Sequence, residues 1–179
     1  MLHIFTDKDK VLRTKCSEFP KPYTKEDKDL LIEMVNYLKL SQDDEYAKQH
    51  NIQSGIGLAC PQIGVSKRGF AIYLTDNNKT YQYALLNPII LKTSVKRAYL
   101  NGGEGCLSVK KKHPGLTMRY YKVVLQGYDA LTEKEVTITA FGYLAICIQH
   151  EYDHLDGILY YDRFDKNDPF KIENGAVSI

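Results

Sequence analysis

The chain has 179 residues and a mass of 20.5 kDa, which predicts a single domain over residues 1–179 with one hydrophobic core. Hydrophobic residues make up 44% and charged residues 26%, and the mean hydropathy of -0.37 excludes disordered and fibrous classes. The formal net charge of +2 gives no reason to expect DNA or an acidic membrane as a partner.

The N-terminus and the cysteines indicate where the protein works. Met1-Leu2-His3 leads directly into the charged residues 7–10, and no apolar run approaches the roughly 20 residues of a membrane span. We therefore expect a cytoplasmic protein without a membrane anchor. Its four cysteines are then expected to be reduced, which leaves at least one thiol free for chemistry.

The first predicted element is an amphipathic helix. Thr24 is placed to cap its N-terminus, and Asp27 adds negative charge to its first turn. Apolar residues then recur at helical spacing, namely Leu30, Leu31, Met34, Tyr37, Leu38 and Ala47. The pattern predicts a helix that runs to about residue 48 and lies on the outside of the protein.

Short segments with strand character follow, bounded by Asn, Asp, Gly and Pro. They are residues 69–74, 81–86, 89–92, 123–128 and 136–139. The last two are joined by a connection short enough to predict an antiparallel hairpin. Residues 175–179 are predicted to form an edge strand.

A helix of a different kind is predicted between Gly142 and Gly157. Residues 143–148 are apolar on nearly all sides, which is typical of a buried helix, and Gly157 favours its termination. One stripe of this helix is expected to line a cavity and carries Tyr143, Cys147, His150 and His154. Together the elements predict an α+β fold in which antiparallel β-sheets pack around this central helix.

The buried helix contains the pattern HExxH, formed by His150-Glu151-Tyr152-Asp153-His154. On a helix, this spacing places two imidazoles one turn apart with a carboxylate beside them. The pattern predicts a metal site with its own general base. It supplies only two protein ligands, however, whereas a catalytic zinc-type site usually takes three.

The third ligand separates the enzyme classes. A metzincin-like site would need a histidine where this chain has Tyr160, and a thermolysin-like site would need Glu173 from the polar tail. Cys106 lies in Gly103-Glu104-Gly105-Cys106-Leu107-Ser108, where flanking glycines allow the backbone to present a thiolate. Cys106 is the preferred third ligand. A small HExxH protease and an inactive metal-binding relative remain alternatives.

A third segment, Gly55-Ile56-Gly57-Leu58-Ala59-Cys60-Pro61-Gln62, contains two glycines that allow close backbone approach and a glutamine amide that can donate to an oxygen. This segment, the Cys106 segment and HExxH, in this order, resemble the three signature motifs of peptide deformylase. The 13-residue step from Cys106 to Arg119 is similar to the subclass found in Gram-positive bacteria and mycoplasmas.

The resemblance implies a metal-dependent hydrolase that removes the N-terminal formyl group from formyl-methionine of nascent polypeptides and releases formate. It implies that Cys106, His150 and His154 hold one divalent ion. This ion is expected to be Fe(II) in the cell, with zinc, nickel or cobalt in a purified sample. Glu151 is expected to act as general base, while Gln62 and the backbone N–H of Leu107 donate to the oxyanion.

The resemblance also implies how the substrate binds. The peptide is expected to lie extended along Ile56 and Gly57, whose backbone groups can bond it as an additional strand, and its methionine side chain is expected to enter a pocket formed partly by the metal helix. The residues predicted to bind substrate are Ile56, Gly57, Gly105, Tyr143, Ile146 and Cys147. Relatives more often have an aliphatic residue at the position of Tyr143, so we expect weaker tolerance of bulky first residues.

Other features near the motifs leave alternatives open. Cys60 either fills the space of the alanine usual in relatives or oxidises with Cys106. The cluster of Lys110, Lys111 and Lys112 is either a solvated loop tip or makes transient contact with the ribosome. Glu104 and Arg119 are expected to pair and brace the loop. The protein is expected to be a monomer.

Overall fold

The computed structural model describes residues 2–179 and has an α+β architecture. Its elements are α1 (Lys25–Ser41), α2 (Asp44–His50), β1 (Gly57–Ala59), β2 (Gly69–Asp76), β3 (Lys79–Thr93), β4 (Arg97–Tyr99), β5 (Arg119–Tyr120), β6 (Lys122–Asp129), β7 (Lys134–Phe141), α3 (Gly142–Leu155) and β8 (Val177–Ser178). Within the described residues, none of the helices combines the length and apolarity needed to cross a bilayer.

Two sheets organise the fold. The larger sheet has five strands in the order β1-β2-β3-β6-β7, and every neighbouring pair in it is antiparallel. The smaller sheet has the order β5-β4-β8, in which β4 and β8 run parallel. The predicted edge strand at the C-terminus is confirmed, although its parallel pairing differs from the antiparallel arrangement expected of the sheets.

The larger sheet is covered on both faces because successive side chains of its strands point in opposite directions. On β2, Phe70 and Ile72 pack in one core with α3, whereas Ala71 packs in a second core with α1. The second side of α3 meets the small sheet, where the Gln149 side chain bonds both backbone groups of Tyr120. The predicted central buried helix and outer N-terminal helix are therefore confirmed.

The first predicted helix begins as expected but ends early. Thr24 Oγ1 accepts from the backbone N–H of Asp27 at 3.1 Å, and the Asp27 carboxylate accepts from Thr24 at 2.9 Å. The prediction of one continuous helix to residue 48 was wrong. The Asp43 side chain caps a second helix by accepting from the backbone N–H of Tyr46 at 2.8 Å. The Gln42 side chain turns inward and donates to the carbonyls of Gly55 and Tyr73, each at 2.8 Å.

The strands predicted at 81–86 and 89–92 are one strand, β3, so their separation was wrong. The proline signal marks a bulge instead of an end, since the register shifts between Leu86 and Ile89. Asn87 occupies the bulge with φ of 46°, and its side chain bonds both backbone groups of Phe19 at 2.8 and 2.9 Å. Those bonds stabilise the irregular backbone.

The last two predicted elements agree with the structure. β6 and β7 form the expected hairpin, which closes where Asp129 pairs with Lys134. The metal helix α3 ends two residues before Gly157, whose φ is 72°. A side chain at Gly157 would meet the backbone of Arg13 at 2.8 Å, so both conformation and space require glycine there.

Candidate metal centre and substrate cleft

Cys106, His150 and His154 lie together in the middle of the fold. Their ligand atoms are all within 4.8 Å of one another, and Cys106 Sγ lies 3.3 Å from His154 Nε2. Thiolate and imidazole atoms that share a tetrahedral ion at about 2.0 to 2.3 Å lie about 3.4 to 3.6 Å apart. The Cys106–His154 distance is close to that value, and the ligand chemistry of the three residues suits a divalent zinc, iron, nickel or cobalt ion.

Glu104 orients one of the two histidines. Its Oε2 accepts from His150 Nδ1 at 2.7 Å, which leaves Nε2 of the ring directed at the centre. Glu104 also accepts from Arg119 Nε at 2.8 Å and from Arg119 Nη2 at 2.9 Å. The expected pairing of these residues on the Cys106 loop is thus present, and it continues to a ligand that the sequence did not connect to it.

Charge explains why Glu104 can remain ionised inside the protein. Burial alone would raise the pKa of Glu104, but Arg119 and His150 hold that pKa at about 2. Burial would likewise lower the pKa of Arg119, and the carboxylates of Glu104 and Asp153 raise it instead. The loop next to Cys106 is therefore held by a fully charged, fully buried ion pair.

Asp153 and Arg163 extend this ion pair and were missed from the sequence. Asp153 accepts from Arg119 Nη1 at 2.5 Å and from both Nε and Nη2 of Arg163, also at 2.5 Å. Asp153 is one of the unspecified positions within HExxH, and Arg163 follows α3 by eight residues, counted from Leu155. The periodicity of α3 placed Asp153 off the metal stripe, but spacing alone names no partner for it.

Glu151 lies beside the candidate ligands with no hydrogen-bond partner for its buried Oε2 among residues 2–179. Burial raises the pKa of Glu151 to about 7, an effect that His150 and Arg119 oppose and Glu104 adds to. A carboxylate with a pKa near neutrality can take up a proton and return it. The environment of Glu151 is therefore suited to general base and general acid roles.

Gly57 leaves the space that the Glu151 carboxylate occupies. A Cβ placed on Gly57 would lie too close to Oε1 and only 2.7 and 2.8 Å from the adjoining Cδ and Cγ of that side chain. Any other residue at this position would therefore displace either the edge strand β1 or the carboxylate. This close approach gives the second glycine of the Gly55–Gln62 segment a specific purpose.

We expect Gly57→Ala to lower kcat for the reaction proposed below by about 100-fold, because displacing a reacting group by about 1 Å can have an effect of that size. Metal content should stay close to that of the wild type, since the three atoms nearest to the added Cβ all belong to Glu151, which is not one of the ligands. Steady-state kinetics and elemental analysis measure the two quantities. Gly102→Ala is the matched control, because a Cβ there meets nothing within 4 Å.

Gln62 is held with its amide nitrogen towards the metal centre. Its Oε1 accepts from the backbone N–H of Ala59 at 2.7 Å, and its Nε2 donates to Ser108 Oγ at 3.2 Å. The same nitrogen lies 3.5 Å from Cys106 Sγ. The neighbouring Leu107 N–H has no backbone acceptor among residues 2–179. Both predicted oxyanion donors therefore lie next to the ligand Cys106.

A cleft opens in front of the ligands and includes every residue predicted to bind substrate. These residues are Ile56, Gly57, Gly105, Tyr143, Ile146 and Cys147. Gly55, the first glycine of the Gly55–Gln62 segment, lines the cleft too, and sequence reasoning missed three further lining residues, Gln53, Ser54 and Leu100. They lie in loops without a recognisable pattern, although the two glycines of the adjoining motif already indicated a close approach there.

On the free edge of β1, the backbone hydrogen-bonding groups available to a substrate belong to Gly57 more than to Ile56. The Ile56 carbonyl accepts from the backbone N–H of Tyr73 at 3.0 Å, so this residue bonds towards β2. Backbone groups alternate between the two sides of an antiparallel strand, and β1 lies at the sheet edge. The peptide groups of Gly57 consequently point away from β2, into the cleft.

The structure also locates the residues on which the other interpretations depended. Cys60 is fully buried in the core with α1, with its Sγ 4.0 Å from Met34 Sδ, and burial raises its pKa. Its position agrees with the space-filling interpretation. Tyr160 packs its ring 6.1 Å from that of His150, and Glu173 pairs with Arg97 at 3.1 Å. Lys110, Lys111 and Lys112 are exposed.

The chain matches a family model described as polypeptide deformylase over residues 1–170. Peptide deformylase 2 of Geobacillus stearothermophilus is 47% identical over 169 residues, which cover 94% of this chain and 91% of the relative. A peptide deformylase of Staphylococcus epidermidis is 44% identical over 181 residues, with coverage of 100% and 98%. These matches span the sheets, the Cys106 loop and α3 together.

Solved structures show the same relationship. The peptide deformylase from Thermotoga maritima aligns with a TM-score of 0.71 and 28% identity, covering 92% of this chain and 98% of that chain. A peptide deformylase from Synechococcus elongatus, solved in complex with actinonin, aligns with a TM-score of 0.73 and 29% identity, covering 92% and 81%. The fold described above is therefore shared with these proteins.

Proposed function

The chain belongs to the polypeptide deformylase family, and we propose that its cleft removes the N-terminal formyl group from nascent polypeptides beginning with formyl-methionine. Like its family, it is a metallohydrolase. The observation that supports the assignment of roles is the grouping of Cys106, His150 and His154 beside Glu151, whose Oε2 has no hydrogen-bond partner among residues 2–179. The family match over residues 1–170 does not favour the protease alternative, and the presence of both Glu151 and Gln62 in the cleft does not favour an inactive relative.

The ligand set assigns the metal chemistry. Cys106, His150 and His154 would hold one divalent ion, which when bound supplies a Lewis acid that makes water nucleophilic near neutral pH. Fe(II) in the cell, with zinc, nickel or cobalt in a purified sample, agrees with the softness of one thiolate and two imidazoles. Glu104 keeps the His150 ring oriented for that role by accepting from its Nδ1.

The chain's own residues move the proton and stabilise the developing charge. Glu151 takes a proton from the attacking water and delivers it to the amine that leaves when the formyl C–N bond breaks. Gln62 Nε2 and the N–H of Leu107 donate to the formyl oxygen as it becomes an oxyanion. The products are formate and a peptide with a free N-terminal methionine.

Backbone contacts would hold the peptide. Gly57 presents its N–H and C=O to the cleft, so an extended substrate can pair there as an additional strand. The methionine side chain would enter the space bounded by Tyr143, Ile146 and Cys147. Recognition through backbone groups suits a hydrolase that acts on nascent chains of many different sequences.

Replacing Gln62 with Ala should lower kcat by about 100- to 1000-fold, the usual effect of removing one oxyanion donor. The KM should change little, because the donor acts mainly on the transition state. Its bond from Ala59 is also lost, so the melting temperature is measured alongside the kinetics. A higher KM with an unchanged kcat would contradict the oxyanion role.

The function is tested by anaerobic purification with iron, elemental analysis, and measurement of formate released from a formyl-Met tripeptide. Wild type should release formate, and Cys106→Ser should lose most bound iron and most activity. An acetyl-Met tripeptide is the substrate control. Absence of formate from iron-loaded wild type would contradict the proposal.

The proposal extends to the cellular setting. It places one catalytic domain over residues 1–179, as a monomer in the cytoplasm, where nascent chains emerge. The exposed Lys110, Lys111 and Lys112 support a transient contact with ribosomal RNA, since lysines bind phosphates through charge. Co-sedimentation with ribosomes that is salt-dependent and weakened by Lys→Glu changes is the expected result.

A further inference from the structure

Arg163 lies at the solvent-facing end of the buried charge network. Its Nε donates to Asp153 Oδ2 and its Nη2 to Asp153 Oδ1, each at 2.5 Å. The Arg163 side chain is 42% exposed, whereas that of Asp153 is only 7% exposed. The hydrogen bonds of Arg163 among residues 2–179 go to Asp153 and not to the candidate ligands, yet Arg163 is the accessible member of a network that reaches them.

The network connects Arg163 to a ligand through three intermediate side chains. Asp153 accepts from Arg119 Nη1 at 2.5 Å, and Arg119 makes two bonds to Glu104, at 2.8 and 2.9 Å. Glu104 Oε2 then accepts from His150 Nδ1 at 2.7 Å. Each link is a charge-assisted hydrogen bond, so the position of each group depends on its neighbours.

Charge balance shows what Arg163 contributes. The buried carboxylates of Glu104 and Asp153 share one buried cation, Arg119, and Arg163 supplies the second positive charge. Without Arg163, Asp153 would keep a single donor and compete with Glu104 for the Arg119 guanidinium. A shift of Arg119 towards Asp153 would weaken the two bonds that hold Glu104 against His150.

We propose that Arg163 is a positioning residue for the metal centre. By bonding both oxygens of Asp153, it leaves Arg119 committed to Glu104 and thereby fixes the His150 ring with Nε2 towards the ion. The inference rests on the proposed function, because it presupposes that His150 is a metal ligand. It adds a residue outside all three signature motifs to the groups that determine metal retention.

Arg163→Met is the direct test, because methionine retains much of the side-chain stem but removes every donor. We expect bound Co²⁺ to dissociate about tenfold faster into excess chelator, the lower end of the usual effect of losing an outer partner of a metal ligand. The visible spectrum of the cobalt form, which reports ligand geometry, should change as well. Both are measured well below the melting temperature of each variant.

Arg13→Met is the matched control. Arg13 is 38% exposed and pairs with Asp162, in the same turn as Arg163, but it makes no contact with Asp153. The Arg13→Met substitution removes one positive charge and one ion pair next to that turn, so the cobalt dissociation rate of this variant should equal that of wild type. Equal acceleration by both variants would overturn the inference in favour of a general effect on the turn.

A second background tests the charge mechanism. In Asp153→Asn protein, no buried charge remains for Arg163 to neutralise, so adding Arg163→Met should change the dissociation rate less than about twofold. The same tenfold acceleration in both backgrounds would overturn the inference. Wild type that binds no ion would instead contradict the proposed metal site, which separates the two failures.

Discussion

Glu151→Gln should bind metal like the wild type and release formate about 100- to 10,000-fold more slowly, because it removes the general base. Glutamine has nearly the same shape, and Oε2 of Glu151 has no hydrogen-bond partner to lose among residues 2–179. Removing a buried charge that burial disfavours should leave the fold intact or more stable. Single-turnover formate release with iron-loaded protein measures the effect on chemistry.

The control for Glu151→Gln is the same substitution at an exposed glutamate. Glu173→Gln removes an exposed carboxylate that pairs with Arg97, at a distance from the cleft, and should leave kcat unaltered. Elemental analysis and the melting temperature show whether either variant has lost its ion or its fold. Formate release within tenfold of wild type would contradict the assignment of Glu151 as base.

Arg119→Met should destabilise the protein by about 3 to 5 kcal/mol, because it leaves two buried carboxylates without their shared cation. Asp153 keeps the two bonds from Arg163, so the loss falls mainly on Glu104, which keeps only the bond from His150 and is relieved by taking up a proton or by moving towards solvent. Urea unfolding at neutral pH measures the difference. Arg68→Met is the control, since Arg68 pairs with the partly exposed Asp156 and should contribute about 1 kcal/mol or less.

The same variant should change how stability depends on pH. Because the pKa of Glu104 is lowered from 4.5 to about 2 in the folded protein, its ionised form stabilises the fold. This contribution is complete above about pH 4.5 and is lost as pH falls towards 2. Arg119→Met removes the lowering, so the acid slope of wild type in that window should flatten. An unchanged slope would contradict the assignment of the cation.

The metal ligands were predictable because each belongs to a recognisable local sequence pattern. His150 and His154 are one helical turn apart, so a helix alone brings them together. Cys106 was found from its flanking glycines and from the missing third ligand, which are also properties of the sequence. The buried helix and the β6–β7 hairpin followed equally from apolar periodicity and a short turn.

Other features depend on contacts that no spacing specifies. The bonds of Asp153 to Arg119 and Arg163 span 34 and 10 residues, and many other charged residues were available as partners. The strands β1, β4 and β5 have at most three residues, too few to display a period. The fit of Gly57 against Glu151 joins residues from different elements, so only the folded protein reveals it.

The distribution of the ligands along the chain determines how the metal centre assembles. The two histidines belong to one helix and come together through local folding, whereas Cys106 must close a loop of 44 residues to reach His150. The Cys106 loop is tied to the N-terminal segment by the bond from Asp7 N–H to the Ser108 carbonyl, at 2.8 Å. The metal centre is therefore complete only when this loop has docked against a helix that already carries both histidines.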